Sequence, residues 1–276
     1  MAHRNFYPGD CRRQVEEFLA GFEPPDEPAE LVAGVVPHAG WEYSGRVAAQ
    51  VWQSLAERAQ PQTIIILGAF HRGGLSLSAV YPEGEWDTPL GPVEVDSRLA
   101  AEILAEFHAL AVANTAAHRD EHSIEVQLPF LKVILPETKV VPIAVPLGGN
   151  PVQLGDLLGH LVQERAVVAV GSTDFTHYGE ERYAFAPRGT GPSAHEWLKA
   201  NDRRLLTLVE GLLPEEMPPE VAAHHNACGP GALAATTAFA RAQGAEKGIV
   251  LEHTTSYEVR PEPEFTCGVG YAGVVF

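Results

Sequence analysis

Apolar residues along this chain follow two alternating patterns. Short uninterrupted apolar runs, several of them rich in β-branched residues, alternate with longer stretches in which apolar residues recur every three or four positions. The first pattern is typical of strands buried on both faces of a sheet, and the second is typical of amphipathic helices. We predict strands at 31–36, 63–67, 139–145, 166–170, 249–257 and 268–276, and helices at 10–20, 44–58, 96–110, 122–133, 152–164, 194–212 and 231–243.

The alternation of strands with helices predicts the fold class. It indicates an α/β fold with a largely parallel central sheet and helices on both faces. The chain has 276 residues, and neither an internal repeat nor a shift in composition marks a boundary. We therefore expect a single domain over residues 1–276.

Composition excludes several classes of partner. Lys and Arg total 19 against 36 for Asp and Glu, so the formal net charge is −17. A negative field of this size repels phosphate backbones, and no nucleic-acid partner is expected. No uncharged apolar stretch reaches the ~20 residues of a membrane span, and no secretory signal is visible. The three scattered cysteines (Cys11, Cys228 and Cys267) indicate free thiols and a reducing, cytoplasmic location.

Polar residues collect just beyond the ends of three predicted strands. His38 follows the first in VVPHAG, and His71 follows the second in IIILGAFHRGG. Asp174 and His177 follow a third in VVAVGSTDFTHYG. In open α/β sheets the loops beyond the carboxyl ends of the strands converge into a ligand-binding crevice. We therefore expect these side chains to share one polar pocket.

Cys228 adds a sulfur to this set. It lies in HHNACGPG, directly before the helix predicted from 231. A helix N-terminus stabilises negative charge, so a thiolate is expected here, and thiolate is the form that binds metals. Two imidazoles and a thiolate, from His38, His71 and Cys228, suit iron, copper or zinc and not magnesium or calcium. Three protein ligands leave a coordination position open for water, oxygen or substrate.

Three further side chains are predicted to take part in catalysis. Asp174 and His177 could complete a coordination sphere, orient a ligand histidine or pass protons, and the sequence leaves these roles open. His122, in DEHSIEVQLPFL, lies one helical turn from Glu125 on the same predicted face. It is predicted either as an acid–base group or as part of a network that starts the helix together with Glu121.

Five motifs in this order resemble those of the Memo family, whose bacterial and archaeal members are called protein B of the AmmeMemoRadiSam system. They span nearly the whole chain: PHAGWEYSG at 37–45, LGAFHRG at 67–73, DEHSIEVQLPFL at 120–131, STDFTHYG at 172–179 and ACGPGAL at 227–233.

The resemblance implies a fold related to the class III extradiol (LigB-like) dioxygenases. It also implies a pocket in which His38, His71 and Cys228 bind metal, a set associated in the family with iron or copper. The name of the system implies a functional link to a radical SAM protein and an AMMECR1-like protein. The substrate is expected to be a small molecule that the sequence does not identify.

Three classes of function remain open from the sequence. The first is a metal-dependent redox or dioxygenase-like protein that uses the His/His/Cys pocket. The second is a hydrolase or transferase with Cys228 as nucleophile and a nearby histidine as base. The third is a non-enzymatic module that binds a small anion or a peptide in the same crevice.

Overall fold

The computed structural model describes residues 6–26 and 30–276, so residues 1–5 and 27–29 of the predicted domain lie outside the described part. Its strands are β1 (Ala33–Val36), β2 (Thr63–Gly68), β3 (Ser78–Val80), β4 (Glu85–Trp86), β5 (Val93–Glu94), β6 (Ala111–Ala113), β7 (Lys139–Ala144), β8 (Val167–Ser172), β9 (His177–Tyr178), β10 (Ile249–Thr255) and β11 (Gly268–Val275). Its α-helices are α1 (Cys11–Leu19), α2 (Trp41–Arg58), α3 (Ser97–Glu106), α4 (Leu128–Ile134), α5 (Pro151–Leu161), α6 (Glu180–Tyr183), α7 (Pro192–Glu210), α8 (Met217–His224), α9 (Pro230–Ala242) and α10 (Ser256–Val259). Two short 3-10 turns lie at Thr115–His118 and Glu125–Gln127.

One mixed sheet organises these elements. Its strand order is β10-β11-β1-β8-β2-β7-β3-β6, and β9 pairs with β11. The four central strands β1, β8, β2 and β7 are mutually parallel. Antiparallel pairs of β11 with β1 and of β3 with β7 extend the sheet on either side. The predicted α/β class with a parallel centre is confirmed, and the antiparallel pairing is confined to the two margins.

The apolar run of β2 explains why helices cover both faces. Successive side chains of a strand point to opposite faces, so each face receives every second residue. Ile64 and Ile66 join the buried cluster that includes residues of α1, α2 and α4. Ile65 and Leu67 join the cluster that includes residues of α3, α5, α7, α8 and α9. Each face of the sheet therefore has its own apolar core, as predicted. Within the described ranges, no helix is both long enough and apolar enough to cross a membrane.

The helix predicted over 122–133 is wrong at its N-terminal end. The α-helix there begins only at Leu128, after the 3-10 turn, and His122 precedes both. Pro129 supplies the physical reason, because a proline has no N–H to donate to a carbonyl four residues earlier and fits only the first turn of a helix. His122 and Glu125 therefore do not share a helical face. The structure also contains helix α8 and the β4–β5 pair, which the apolar spacing did not predict.

Helices α5 and α9 pack unusually closely on one face of the sheet. A Cβ atom placed on Gly155 of α5 would overlap the carbonyl oxygen of Ala235 on α9. Backbone atoms cannot move aside as a flexible side chain can. Gly155 therefore sets the separation of the two helices, and α9 is the helix that follows Cys228.

Replacing Gly155 with alanine should destabilise the protein by about 1–3 kcal/mol, the usual effect of overpacking a well-packed core. The free-energy cost of the clash must exceed the ~1 kcal/mol by which alanine favours a helix over glycine. Urea unfolding followed by circular dichroism measures the change. Gly148→Ala is the control, because a Cβ at Gly148 has no neighbour within 4 Å. Equal stability of the two variants would refute the close-packing argument.

Candidate metal centre

The strand order brings three of the predicted site residues to one edge of the sheet. Strand β8 lies between β1 and β2, so the three carboxyl ends are adjacent. The loops that follow them carry His38, His71 and Asp174. Cys228 lies two residues before the start of α9, a helix that packs on these strands. The backbone N–H of Cys228 donates to the carbonyl of Asp174 (3.1 Å), which fixes the cysteine loop to the loop after β8.

His38, His71 and Cys228 converge as predicted. One potential ligand atom from each lies within 4.8 Å of those of the other two. The Sγ atom of Cys228 is 3.1 Å from Nε2 of His38. The rings of His38 and His71 are nearly perpendicular, with centroids 5.2 Å apart. Two imidazoles and a sulfur therefore face a common point.

Ser172 determines which nitrogen of His38 carries the proton. The hydroxyl of Ser172 donates its single proton to the carbonyl of Ser123 (2.7 Å). It must therefore act as acceptor toward Nδ1 of His38 (3.1 Å) and the side-chain amide of Gln127 (3.3 Å). Burial lowers the pKa of His38 to about 4, so the ring is neutral at pH 7. Hence Nδ1 is protonated, and Nε2 presents a lone pair toward Cys228.

Glu121 orients His71 in a similar way. Its two carboxylate oxygens lie 3.0 and 3.1 Å from Nδ1 of His71, and one of them also accepts the backbone N–H of His71 (3.0 Å). The other accepts the backbone N–H of Ser123 (3.0 Å). Burial works to raise the pKa of Glu121, but these hydrogen bonds hold it well below its usual range. Because Nδ1 of His71 is engaged, Nε2 is the nitrogen left for a ligand.

Burial and the neighbouring Glu121 have opposite effects on the pKa of His71. Burial works to lower the pKa, but the hydrogen bond and the negative charge of Glu121 raise it above its usual value. The side chain of Glu121 is only 2% exposed, whereas that of His71 is 32% exposed. A solute can therefore reach His71, and its carboxylate partner is protected from solvent.

His122 lies against the same group. Its ring stacks on that of His71, with centroids 4.9 Å apart and an angle of 14°, and Phe6 stacks on His122 with centroids 4.6 Å apart. The pKa of His122 is lowered, first by burial and then by the charge of His71. Its nearest carboxylate is Glu121 (Nδ1–Oε1 3.7 Å) and not the predicted Glu125, which accepts the hydroxyl of Tyr7.

Asp174 anchors the loop of His38. One of its oxygens accepts the backbone N–H groups of His38 (2.7 Å) and Ala39 (3.3 Å). Burial works to raise the pKa of Asp174, but the neighbouring histidines His38 and His177 lower it overall. The other oxygen lies 3.9 Å from Nε2 of His177. Asp174 thus bonds the backbone of the His38 loop and lies near the imidazole of His177, three residues further along its own segment.

His177 has unused hydrogen-bonding capacity. Its Nε2 atom is buried and has no hydrogen-bond partner among the described residues. With Asp174 and Cys228 it forms a second group whose potential ligand atoms lie within 4.8 Å of one another. The ring of His177 also lies 4.8 Å from that of Tyr183.

The prediction of a thiolate at Cys228 is wrong for the metal-free protein. Burial raises the pKa of the Cys228 thiol, and the negative charge of Asp174 raises it further. The backbone N–H of Asp174 does donate to Sγ (3.3 Å), but this hydrogen bond does not compensate for burial. Cys228 is therefore a neutral thiol whose S–H faces the lone pair of His38. A cation that replaces this proton would restore a negatively charged sulfur.

A cavity opens beside Cys228. It has a volume of about 370 Å³, which lies within the range of small-molecule pockets. Cys228 and His177 contribute to its wall, and most of the other lining side chains are apolar or aromatic, among them Phe175, Tyr183 and Phe185. The candidate metal centre thus adjoins a space that an organic molecule could occupy.

The structure adds two site residues that sequence reasoning did not identify. Ser172 is the only polar side chain in the segment VVAVGS of β8, and this position was the available signal. Glu121 was considered only as a helix-start residue, because its bond to His71 spans 50 positions of sequence. Each engages the Nδ1 atom of one histidine.

The donor set fits a transition metal. Ligand histidines in metal sites usually donate their second ring nitrogen to a carboxylate or another acceptor, which fixes the ring and its tautomer. Both His38 and His71 have such a partner, Ser172 and Glu121 respectively. Imidazole and thiolate ligands suit iron, copper and zinc. Nε2 of His38, Nε2 of His71 and Sγ of Cys228 could hold such an ion without a change in the tautomer of either ring.

Comparison with known proteins shows the family of this chain. The family model described as Memo-like protein matches residues 5–275. A MEMO1 family protein of Pyrococcus furiosus is 36% identical over 98% of this chain and 95% of its own length. A MEMO1 family protein of Thermococcus kodakarensis is 36% identical over 99% and 96%, and one of Methanopyrus kandleri is 34% identical over 98% and 95%.

A solved structure is similar in fold alone. An uncharacterized protein from Escherichia coli K12 superposes with a TM-score of 0.53 at 16% sequence identity, covering 90% of this chain and 100% of that one.

Fold and side chains together define an α/β protein with a potential metal centre at the carboxyl edge of its sheet. The similarity over nearly the whole chain makes the assignment specific. The chain belongs to the Memo family.

Replacing Ser172 with alanine should destabilise the fold by about 3 kcal/mol or more. The change leaves Nδ1–H of His38, an N–H of Gln127 and the carbonyl of Ser123 without this partner, and each buried unsatisfied group costs about 1–3 kcal/mol. Urea unfolding is the measurement. Ser54→Ala is a matched control, because Ser54 is equally buried and bonds only a carbonyl of its own helix; it should cost about 1 kcal/mol. Similar losses in both variants would contradict the role assigned to Ser172.

Proposed function

We propose that this protein is a metal-dependent redox protein of dioxygenase-like type that holds one iron or copper ion on His38, His71 and Cys228. One observation carries the proposal. The ligand atoms lie within 4.8 Å of one another, and each imidazole already has its Nδ1 engaged by the protein. A bound iron or copper ion would supply electron transfer between an organic substrate and an oxidant.

The surrounding residues have separate tasks in this proposal. Glu121 and Ser172 hold the rings of His71 and His38 so that both Nε2 atoms face the ion. Cys228 must lose the thiol proton that faces His38. Glu121 and Asp174 supply the negative charge that favours a cation at this point.

The cavity beside Cys228 is the proposed place of an organic substrate. Its apolar and aromatic lining would contact the apolar part of a substrate, and His177 in its wall has a buried Nε2 with no hydrogen-bond partner in the described part of the chain. We assign to His177 the transfer of a proton to or from the substrate, with the carboxylate of Asp174 3.9 Å from its Nε2 atom. His122, stacked on His71, is the second proposed acid–base group.

The two alternative functions receive less support. Nε2 of His38 lies 3.1 Å from the Cys228 sulfur, as a general base would, but burial raises the pKa of this thiol and so disfavours the nucleophilic thiolate. A non-enzymatic binding module would not need each ligand histidine to have its second nitrogen engaged. That reading becomes the favoured one if the test below finds no metal.

Metal content tests the proposal directly. Protein purified without chelator under anaerobic conditions should contain about one iron or copper ion per chain, since the three donors form one site. His71→Ala and Cys228→Ser should each remove most of it, because each deletes one of three protein ligands. Elemental analysis of the purified variants gives the result.

His160→Ala serves as the control, since His160 is exposed on α5, away from the strand-end loops. It should retain the wild-type metal content. Equal content in all four proteins, or none in the wild type even after addition of ferrous or cuprous ions, would overturn the proposed function.

A further inference from the structure

Two adjacent buried residues of helix α7, Asn201 and Asp202, contact both loops that flank the cavity. Asn201 is 2% exposed and Asp202 is fully buried. One loop, 173–177, carries Asp174 and His177, and the other, 225–229, carries Cys228. Neither α7 residue touches the proposed metal ligands themselves, so any effect they have on the site must pass through these loops.

Asp202 contacts the first loop through its carboxylate. Its Oδ1 atom accepts the backbone N–H of Thr176 (2.9 Å), next to His177, and its Oδ2 atom is 2.9 Å from Nε2 of His253. A Cβ at Gly270 would overlap that carboxylate, so the space for Asp202 depends on a glycine in β11. Gly270 in turn donates its N–H to the carbonyl of Thr176 (3.0 Å).

A hydrogen bond from the backbone N–H to a buried carboxylate occurs at each of the three segments that carry His38, His71 and His177. Glu121 accepts the backbone N–H of His71, and Asp174 accepts that of His38. Asp202 accepts the N–H of the residue before His177. A buried carboxylate thus fixes the backbone at or beside each of these histidines. The recurrence indicates that Asp202 serves the site and is not only a buried hydrogen-bond partner of His253.

Asn201 connects the two loops to each other. Its side-chain amide donates to Oγ1 of Thr176 and to the carbonyl of His224, both at 3.0 Å. The backbone carbonyl of Asn201, which Asn201→Ala would keep, accepts the side-chain amide of Asn226 (3.1 Å), two residues before Cys228. The Asn201 side chain therefore bonds Thr176 beside His177 and the last residue of α8, directly before the Cys228 loop, and its backbone carbonyl bonds that loop at Asn226.

We propose that Asn201, supported by Asp202, is a positioning residue that acts together with the direct bonds between Cys228 and Asp174 to hold the cysteine loop against the Asp174–His177 loop. The inference rests on the proposed function, since it assigns Asn201 the task of placing the sulfur for the ion and for the adjacent cavity. Loss of the amide should let the cysteine loop shift while the rings held by Ser172 and Glu121 keep their places.

Cobalt(II) absorption spectroscopy of the wild type and Asn201→Ala tests this. The thiolate-to-cobalt charge-transfer band reports the contact of Cys228 with the ion. In Asn201→Ala we expect a weaker or shifted band and about tenfold lower cobalt affinity, the usual effect of losing a group that orients a ligand. Leu205→Ala is the matched control. This buried leucine of α7 has no polar side-chain atom, so its loss lowers stability without removing a bond to either loop.

The rate of alkylation of Cys228 in metal-free protein gives a second readout, with peptide mapping to separate it from Cys11 and Cys267. We expect a severalfold faster rate in Asn201→Ala than in the wild type or Leu205→Ala.

The possible failures can be told apart. A wild-type protein without the cobalt band would overturn the proposed function, and the alkylation rates would still decide on Asn201. A wild-type band with unchanged spectrum, affinity and alkylation rate in Asn201→Ala would overturn the positioning role alone. Equal changes in cobalt spectrum, cobalt affinity and alkylation rate in Asn201→Ala and Leu205→Ala would also overturn the positioning role, because they would show that Asn201 contributes only to stability.

Discussion

The single proton of the Ser172 hydroxyl is the constraint on which the site depends. Because it is donated to the carbonyl of Ser123, the oxygen can only accept from His38 and Gln127. This one assignment fixes the tautomer of His38 and the direction of its lone pair. It also joins the end of β8 to the 120–128 segment, where Glu121 orients His71. The rings of His38 and His71 are therefore oriented by one connected group of hydrogen bonds.

Much of this arrangement follows from the sequence because it depends on local pattern. Uninterrupted β-branched runs indicate strands buried on both faces, and polar residues that follow such runs fall at one edge of a parallel sheet. The convergence of His38, His71 and Asp174 could be expected on that ground, and family motifs pointed to the same residues and to Cys228. The order β1-β8-β2 is not encoded locally, although it places Asp174 close enough to bond the backbone of His38.

The remainder depends on distant contacts and on burial. Glu121 resembles a helix-start residue until the fold brings His71 to it from 50 positions away. The helix N-terminus near Cys228 suggested a thiolate, but burial and the charge of Asp174 outweigh that favourable field. Apolar spacing extended the 122–133 helix through Pro129, and only the observed 3-10 turn shows where helical geometry begins. Long-range pairing and burial were thus the missing quantities in the first two cases, and in the third the local signal of Pro129 was outweighed by the apolar spacing.

The long sequence separation within the site has a consequence for how the protein is made. The contact between His38 and Cys228 spans 190 residues, and helix α9 follows Cys228 directly. A chain emerging from the ribosome exposes both histidines long before the sulfur is synthesised, and domains generally fold as units. The three-donor pocket can therefore close only after most of the polypeptide has been translated. Metal loading at the complete centre would be a late, post-translational event, and the nascent chain would offer only its partial histidine set to ions in the cell.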